Sequence, residues 1–218
     1  MILFALFSNN PILIIPWLTA LLMAITIHEF AHGFAAYRLG DDTAYRNGRL
    51  SLNPLDHIDP FGALMLLLLG FGWAKPVPIN IYKVGKGRWG MIIVSSAGVI
   101  INLSFAVFIL FLLKFFALDH FAYNNLMITF FAFLVYINLA LFIFNLIPIP
   151  PLDGYHIIEY FFPRVFMRFA PFIERWGTIV LLILVFGTNI IGYLINFVIV
   201  AFSLLFHINI SFLAFGSM

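Results

Sequence analysis

Four long apolar stretches, separated by polar ones, organise the chain. Residues 12–36, 90–116, 126–147 and 177–206 each exceed the roughly 20 residues a helix needs to cross a bilayer, so each is expected to be a membrane-spanning helix. A fifth apolar run, residues 61–73, is too short. At about 1.5 Å per residue it does not cross a hydrocarbon core of about 30 Å, and a re-entrant or interfacial segment is expected instead. Gly187, Thr188, Asn189 and Gly192 interrupt the last run, which leaves open one long tilted helix or two shorter pieces. Residues 47–53 and 75–82 carry Pro, Asn and alternating apolar positions and read as short strands or extended segments. The predicted fold class is an all-α polytopic membrane protein with about four full spans.

Composition supports this. Of 218 residues, 64% are hydrophobic and only 9% charged, against roughly 25% charged in a soluble domain. So few charges cannot clothe a water-facing surface, and lipid needs no such clothing. No stretch remains that would make a separate soluble domain, so residues 1–218 are expected to form one membrane-embedded domain. Residues 1–10 contain no Lys or Arg and lack the positive n-region of a cleavable signal peptide, so the first span is expected to be retained. No basic patch with interleaved aromatics suggests a nucleic-acid partner. Ten of the eleven basic residues, Arg38, Arg46, Arg49, Lys75, Lys83, Lys86, Arg88, Arg164, Arg168 and Arg175, fall on one face if residues 61–73 do not cross, with Lys114 near the other. The positive-inside rule then makes that face cytoplasmic and puts both termini outside, in a multi-pass cell-membrane protein.

The chemistry concentrates in two places. The first span carries His28-Glu29-Phe30-Ala31-His32, an H-E-x-x-H pattern. Residues four apart project from one helical face, so both imidazoles can bind one zinc while Glu29 lies next to a zinc-bound water. The competing reading is a set of capping or hydrogen-bonding groups near the span's end, but ionisable groups in a membrane helix are costly and usually functional. With no cysteine in the chain, a third ligand must be His, Asp or Glu. Asp153 follows Asn145-Leu146-Ile147-Pro148-Ile149-Pro150-Pro151-Leu152 and precedes Gly154, where the prolines end the third span. First and third spans run in the same direction, so both motifs are expected at one membrane depth. An N-cap role for Asp153 competes with ligation, since both use the same carboxylate oxygens.

H-E-F-A-H on an early membrane helix and N-x-x-P-x-P-P-x-D-G closing a later one resemble the site-2 protease family of intramembrane zinc metalloproteases. The segment from Gly48 to Gly62 and the G-x-x-x-N pattern of Gly98 and Asn102 resemble signatures of its small bacterial members. The resemblance implies one Zn2+ per chain held by His28, His32 and Asp153, Glu29 as general base, and Asn145 near the substrate carbonyl or oxyanion. It also implies a membrane-spanning protein substrate cut near the cytoplasmic side of the bilayer. The chain's length leaves no room for the PDZ or CBS domains of many relatives.

Other residues carry less. His57, flanked by Asp56 and Asp59, is a rival metal ligand with an equally good structural reading, and His156 is close enough in sequence to Asp153 to support it. His120 and His207 are isolated and read as solvated or interfacial. Asn145 also suits a helix-terminal hydrogen bond, and Gly98 with Asn102 suits close helix packing. Two other function classes remain open: a membrane metal transporter or channel using the same ligands, and a non-catalytic relative that binds membrane helices. The near absence of charge in the outer halves of the spans weighs against the first, and the intact Glu29 against the second.

Overall fold

The computed structural model describes residues 8, 10–70, 72–116 and 126–211. Helix α1 (Ile14–Arg38) follows a 3-10 turn at Pro11–Leu13. It is succeeded by the single turn α2 (Thr43–Arg46), α3 (Pro60–Leu69) and α4 (Gly87–Phe115). Then come α5 (Leu126–Asn145), α6 (Asp153–Phe161), α7 (Pro163–Gly187) and α8 (Ile190–Phe206). Among the described residues four helices are long and apolar enough to cross a membrane: Pro11–Arg38, Gly87–Phe115, Leu126–Asn145 and Ala170–Gly187.

Helices α1, α4 and α5 pack against one another and form the centre of the bundle. Ala20 and Ala24 of α1 and Ala106 of α4 are fully buried there with Leu110, Phe133, Leu134 and Leu139. In lipid no hydrophobic force drives helices together, so small residues that allow close approach carry much of the packing. Helices α1 and α4 run antiparallel, joined at one end by the Gly85 N–H donating to the Leu39 carbonyl at 2.7 Å. The rest of the surface is rich in exposed apolar side chains, such as Ile15, Phe111 and Phe197, as the composition requires of a lipid-facing exterior.

The short apolar run contains helix α3, which starts at an Asp59 cap accepting from the Gly62 N–H (2.8 Å) and ends at left-handed Gly70. The chain then returns to where α3 began. The Lys75 N–H donates to the His57 carbonyl at 2.9 Å, and Ile58 and Ala74 form an isolated bridge. A Cβ on Gly62 would lie 2.0 Å from the Trp73 carbonyl oxygen, so only glycine permits this return. The two ends of the segment therefore meet, the geometry of a re-entrant element.

The structure narrows two alternatives. Residues 49–53 and 75–80 lie outside helices and turns and form no strand among the described residues, while 47–48 and 81–82 are turns. Pro76 and Pro78 supply no N–H, and two further backbone donors of the second stretch, those of Val77 and Asn80, are drawn to side chains elsewhere. The last apolar run, left open between one helix and two, is two helices, the first of which starts before Gly177, at Pro163. Gly177 lies inside α7, where a Cβ would meet Pro150 at 2.7 Å. The break falls at extended Thr188, whose Oγ donates to the Leu184 carbonyl (2.8 Å) and accepts from the Ile190 N–H (3.4 Å).

Candidate metal centre

His28 and His32 lie on one face of α1 and are both buried. Their Nε2 atoms are 3.1 Å apart, and each is 3.2 Å from Asp153 Oδ2. Zinc binds nitrogen and oxygen at about 2.0–2.1 Å, so ligands of a tetrahedral site stand roughly 3.3–3.4 Å from one another. The three donor atoms already form a triangle of nearly that size. Asp153 Oδ2 is buried and receives no hydrogen bond, which leaves its lone pairs for a cation. The donor set therefore fits one divalent ion, and these three residues are the group among the described residues that converges in this way.

Each ligand is placed by a local cause. The His32 Nδ1–H donates to the Val94 carbonyl of α4 at 2.8 Å, which leaves Nε2 unprotonated toward the centre. Gly98 makes room for both rings: a Cβ there would lie 2.4 Å from His32 Nε2 and 2.7 Å from His28 Nδ1. After α5 ends, Gly154 lets the chain fold back against it, since a Cβ would lie 2.3 Å from the Leu146 carbonyl oxygen. Asp153 is the first residue of α6, the cap position belongs to Leu152, and no side chain caps the helix. The capping reading of Asp153 is thereby removed.

The triangle opens on a cavity of about 340 Å³ lined also by Glu29, Val77, Ser95, Asn145, His156 and Tyr160. Glu29 Oε2 accepts the Val77 N–H at 3.0 Å. This contact ties the stretch 75–80 to the cavity, whose lining includes Pro76, Val77 and Ile79 and, just beyond, Ile81.

The description "Peptidase family M50" belongs to a family model that matches residues 117–188, a range containing Asn145 and Asp153. A Bacillus subtilis protein named "Putative zinc metalloprotease YwhC" is 42% identical over 183 residues, covering 82% of this chain and 84% of that protein. The chain belongs to peptidase family M50, the site-2 protease family. The Mycolicibacterium smegmatis protein named "Putative zinc metalloprotease Rip2" is 33% identical over 171 residues, 75% of this chain and 63% of its own length. Its Mycobacterium tuberculosis namesake is 29% identical over 182 residues, 79% and 67% respectively. No solved structure matches the chain.

The other candidates of this M50 chain separate cleanly. His57 is buried away from the triangle, its Nε2–H donating to the Ser51 carbonyl at 2.8 Å, and it lines a different cavity of about 140 Å³ beside Thr26 and Trp73. His156 borders the metal cavity and pairs through Nδ1 with Glu159 at 3.1 Å. Asn145 lies in the cavity wall and spends one amide hydrogen on the Leu141 carbonyl at 3.1 Å, keeping the other free for use. His207 is an exposed residue ending α8 in the left-handed conformation. His120 and most of residues 1–10 lie outside the described residues.

Sequence reasoning missed Asp41. It is fully buried, and its Oδ2 accepts the Asn80 N–H at 2.6 Å while Oδ1 takes the Thr43 N–H at 3.0 Å. Asp41 thus fixes the far end of the stretch that Glu29 fixes in its middle. Arg49 supports the near end, donating through Nη2 to the carbonyls of Lys75 (2.9 Å) and Pro76 (3.2 Å). An acidic residue directly after the last turn of a span is the one signal that pointed there, since a buried carboxylate needs several donors.

Proposed function

We propose that this M50 protein is an intramembrane zinc metalloprotease that hydrolyses a peptide bond of a membrane-spanning substrate near the cytoplasmic side of the bilayer. The observation that carries the reading is the His28, His32 and Asp153 triangle opening, beside Glu29, into a cavity at the bundle end where α1 stops and α4 begins. Zinc held there would polarise the scissile carbonyl and acidify water. Glu29 takes the proton from the attacking water and later returns it to the leaving amine nitrogen. The Val77 N–H holds one oxygen of Glu29 and leaves the other for this transfer. Asn145 offers its unspent amide hydrogen to the developing oxyanion, an interaction worth about 3–4 kcal/mol in other hydrolases.

A helical substrate hides its carbonyls in its own hydrogen bonds and has to unwind near the cut. Of the two extended stretches, residues 75–82 are the one bordering the cavity, so the unwound substrate pairs there by strand addition. Residues 47–53 serve as its backing through Arg49. The cytoplasmic placement rests on the bias of Lys and Arg toward the loops at this end. Reconstitution with a panel of single-span peptides, comparing wild type and Glu29→Gln under zinc repletion and chelation, tests the proposal.

A further inference from the structure

The two imidazoles of the triangle are supported unequally. His32 has the Val94 carbonyl at its Nδ1, whereas His28 Nδ1 is buried and has no hydrogen-bond partner among the described residues. Histidines that bind metal almost always donate their other ring N–H to an oxygen, because this fixes the ring and its tautomer. A second orphan stands close by. Asn102 of α4 is completely buried, and neither its Oδ1 nor its Nδ2 has a partner. It lies one turn beyond Gly98 on the same helical face, and Gly98 is the residue whose missing Cβ makes space for His28 Nδ1. Side chains on a helix lean toward its N-terminus, which directs the Asn102 carboxamide back over Gly98 toward that ring. One turn before His28 on α1 is Ala24, fully buried and without a polar atom, and Thr26, whose Oγ1 is also unpartnered, lines the separate cavity beside His57.

A third orphan completes the set. Asn138 of α5 is also completely buried; its Nδ2 donates to the Leu134 carbonyl at 2.7 Å, and its Oδ1 accepts nothing. The needs are complementary. His28 has a donor to place, Asn102 an acceptor and a donor, and Asn138 an acceptor.

We propose that Asn102 is the positioning residue for His28. A buried water accepts the His28 Nδ1–H and donates to Asn102 Oδ1, and a second accepts the Asn102 Nδ2–H and donates to Asn138 Oδ1, so that His28 presents Nε2 to the metal. Unpartnered polar atoms from three packed helices are the kind of setting in which buried water is found and in which polar networks specify one arrangement. This rests on the metal centre proposed above, but its readout is metal affinity and does not involve cleavage.

The test is zinc affinity by chelator competition, with the visible spectrum of the Co2+-substituted protein and the thermal midpoint of the metal-free protein, all on the full chain in detergent. Asn102→Leu, close in size without the acceptor, should bind zinc about 10–100-fold more weakly and shift the Co2+ bands. Asn102→Asp keeps an acceptor and should stay within about threefold of wild type. If the Leu variant does not fold, Asn102→Ala read against Asn102→Asp makes the same comparison. Wild-type affinity in the variants lacking the acceptor would overturn the proposal, and so would equal loss in Asp and Leu, which would mark a packing role alone. A wild type that cleaves nothing while the affinity pattern holds would fault the proposed activity and leave the role of Asn102 standing.

Discussion

Glu29 and Val77 are 48 positions apart, yet the Val77 N–H donates to Glu29 Oε2 at 3.0 Å and makes the proposed base and the wall of its cavity one unit. The contact orients the carboxylate and at the same time anchors the stretch on which a substrate is to be laid. Val77→Pro removes the donor in a segment that is already extended and flanked by Pro76 and Pro78. Cleavage should fall by about tenfold or more, in line with the 10²–10⁴-fold contribution of a positioned base, while zinc stoichiometry stays at wild type. Steady-state rates alongside metal analysis check it.

Gly98→Ala should be far more damaging than such a change usually is. The new methyl would lie 2.4–2.7 Å from atoms of His32 and His28, so the rings have to leave their positions or α1 and α4 have to separate. Overpacking of this kind costs about 1–3 kcal/mol, and metal binding should be lost with it. Thermal unfolding with and without zinc measures both: the wild type should gain stability from zinc and the variant should not.

Asp41→Ala leaves the Asn80 N–H without its partner at a site that excludes water. A loss of about 1–3 kcal/mol is expected for the orphaned group, and since Asp41 is remote from the triangle, zinc affinity should change little. Cleavage should drop with the loosened cavity wall. Protease nicking between residues 75 and 83, compared in wild type and variant, reports the loosening directly.

Asp42 gives a pH-dependent expectation outside the membrane spans. The Lys83 ammonium at 2.9 Å, against an opposing effect of burial and with help from Arg46, holds its carboxyl below the ordinary carboxylate range. A carboxyl held low in the folded protein contributes stability above its unfolded pKa, and the contribution is lost as pH falls through the depressed folded value. Asp42→Asn should therefore lower the thermal midpoint at neutral pH, and the difference from wild type should shrink below about pH 4. A difference that is constant with pH would contradict the role of Lys83.

The parts legible in the sequence are those with a local period or a local breaker. His28 and His32 were readable because four residues make about one helical turn, and α1 is helical through both. The end of α5 was readable from Pro148, Pro150 and Pro151. Whether Asp153 caps or faces the imidazoles was open, since both use one carboxylate, and it was decided by where α6 begins. The lack of a strand at 75–80 goes with Pro76 and Pro78, which have no N–H, and with Glu29 and Asp41, which take the N–H groups of Val77 and Asn80. The hold of Glu29 on Val77 and of Asp41 on Asn80 involves a backbone N–H, which has no sequence signature. The division at Thr188 was signalled by Gly187, Thr188, Asn189 and Gly192, but those residues alone do not say whether a helix bends or ends, and the structure ends it there.

The central claim is that Glu29 moves protons for a reaction centred on His28, His32 and Asp153. The most direct measurement is cleavage of single-span peptides by the reconstituted full chain, comparing zinc-loaded wild type, chelated wild type and zinc-loaded Glu29→Gln. The account predicts cut peptides in the first alone, with the variant retaining its zinc and losing about 10²–10⁴-fold in rate. Equal cleavage by wild type and Glu29→Gln would contradict it, as would transfer of metal across the liposome without any peptide being cut.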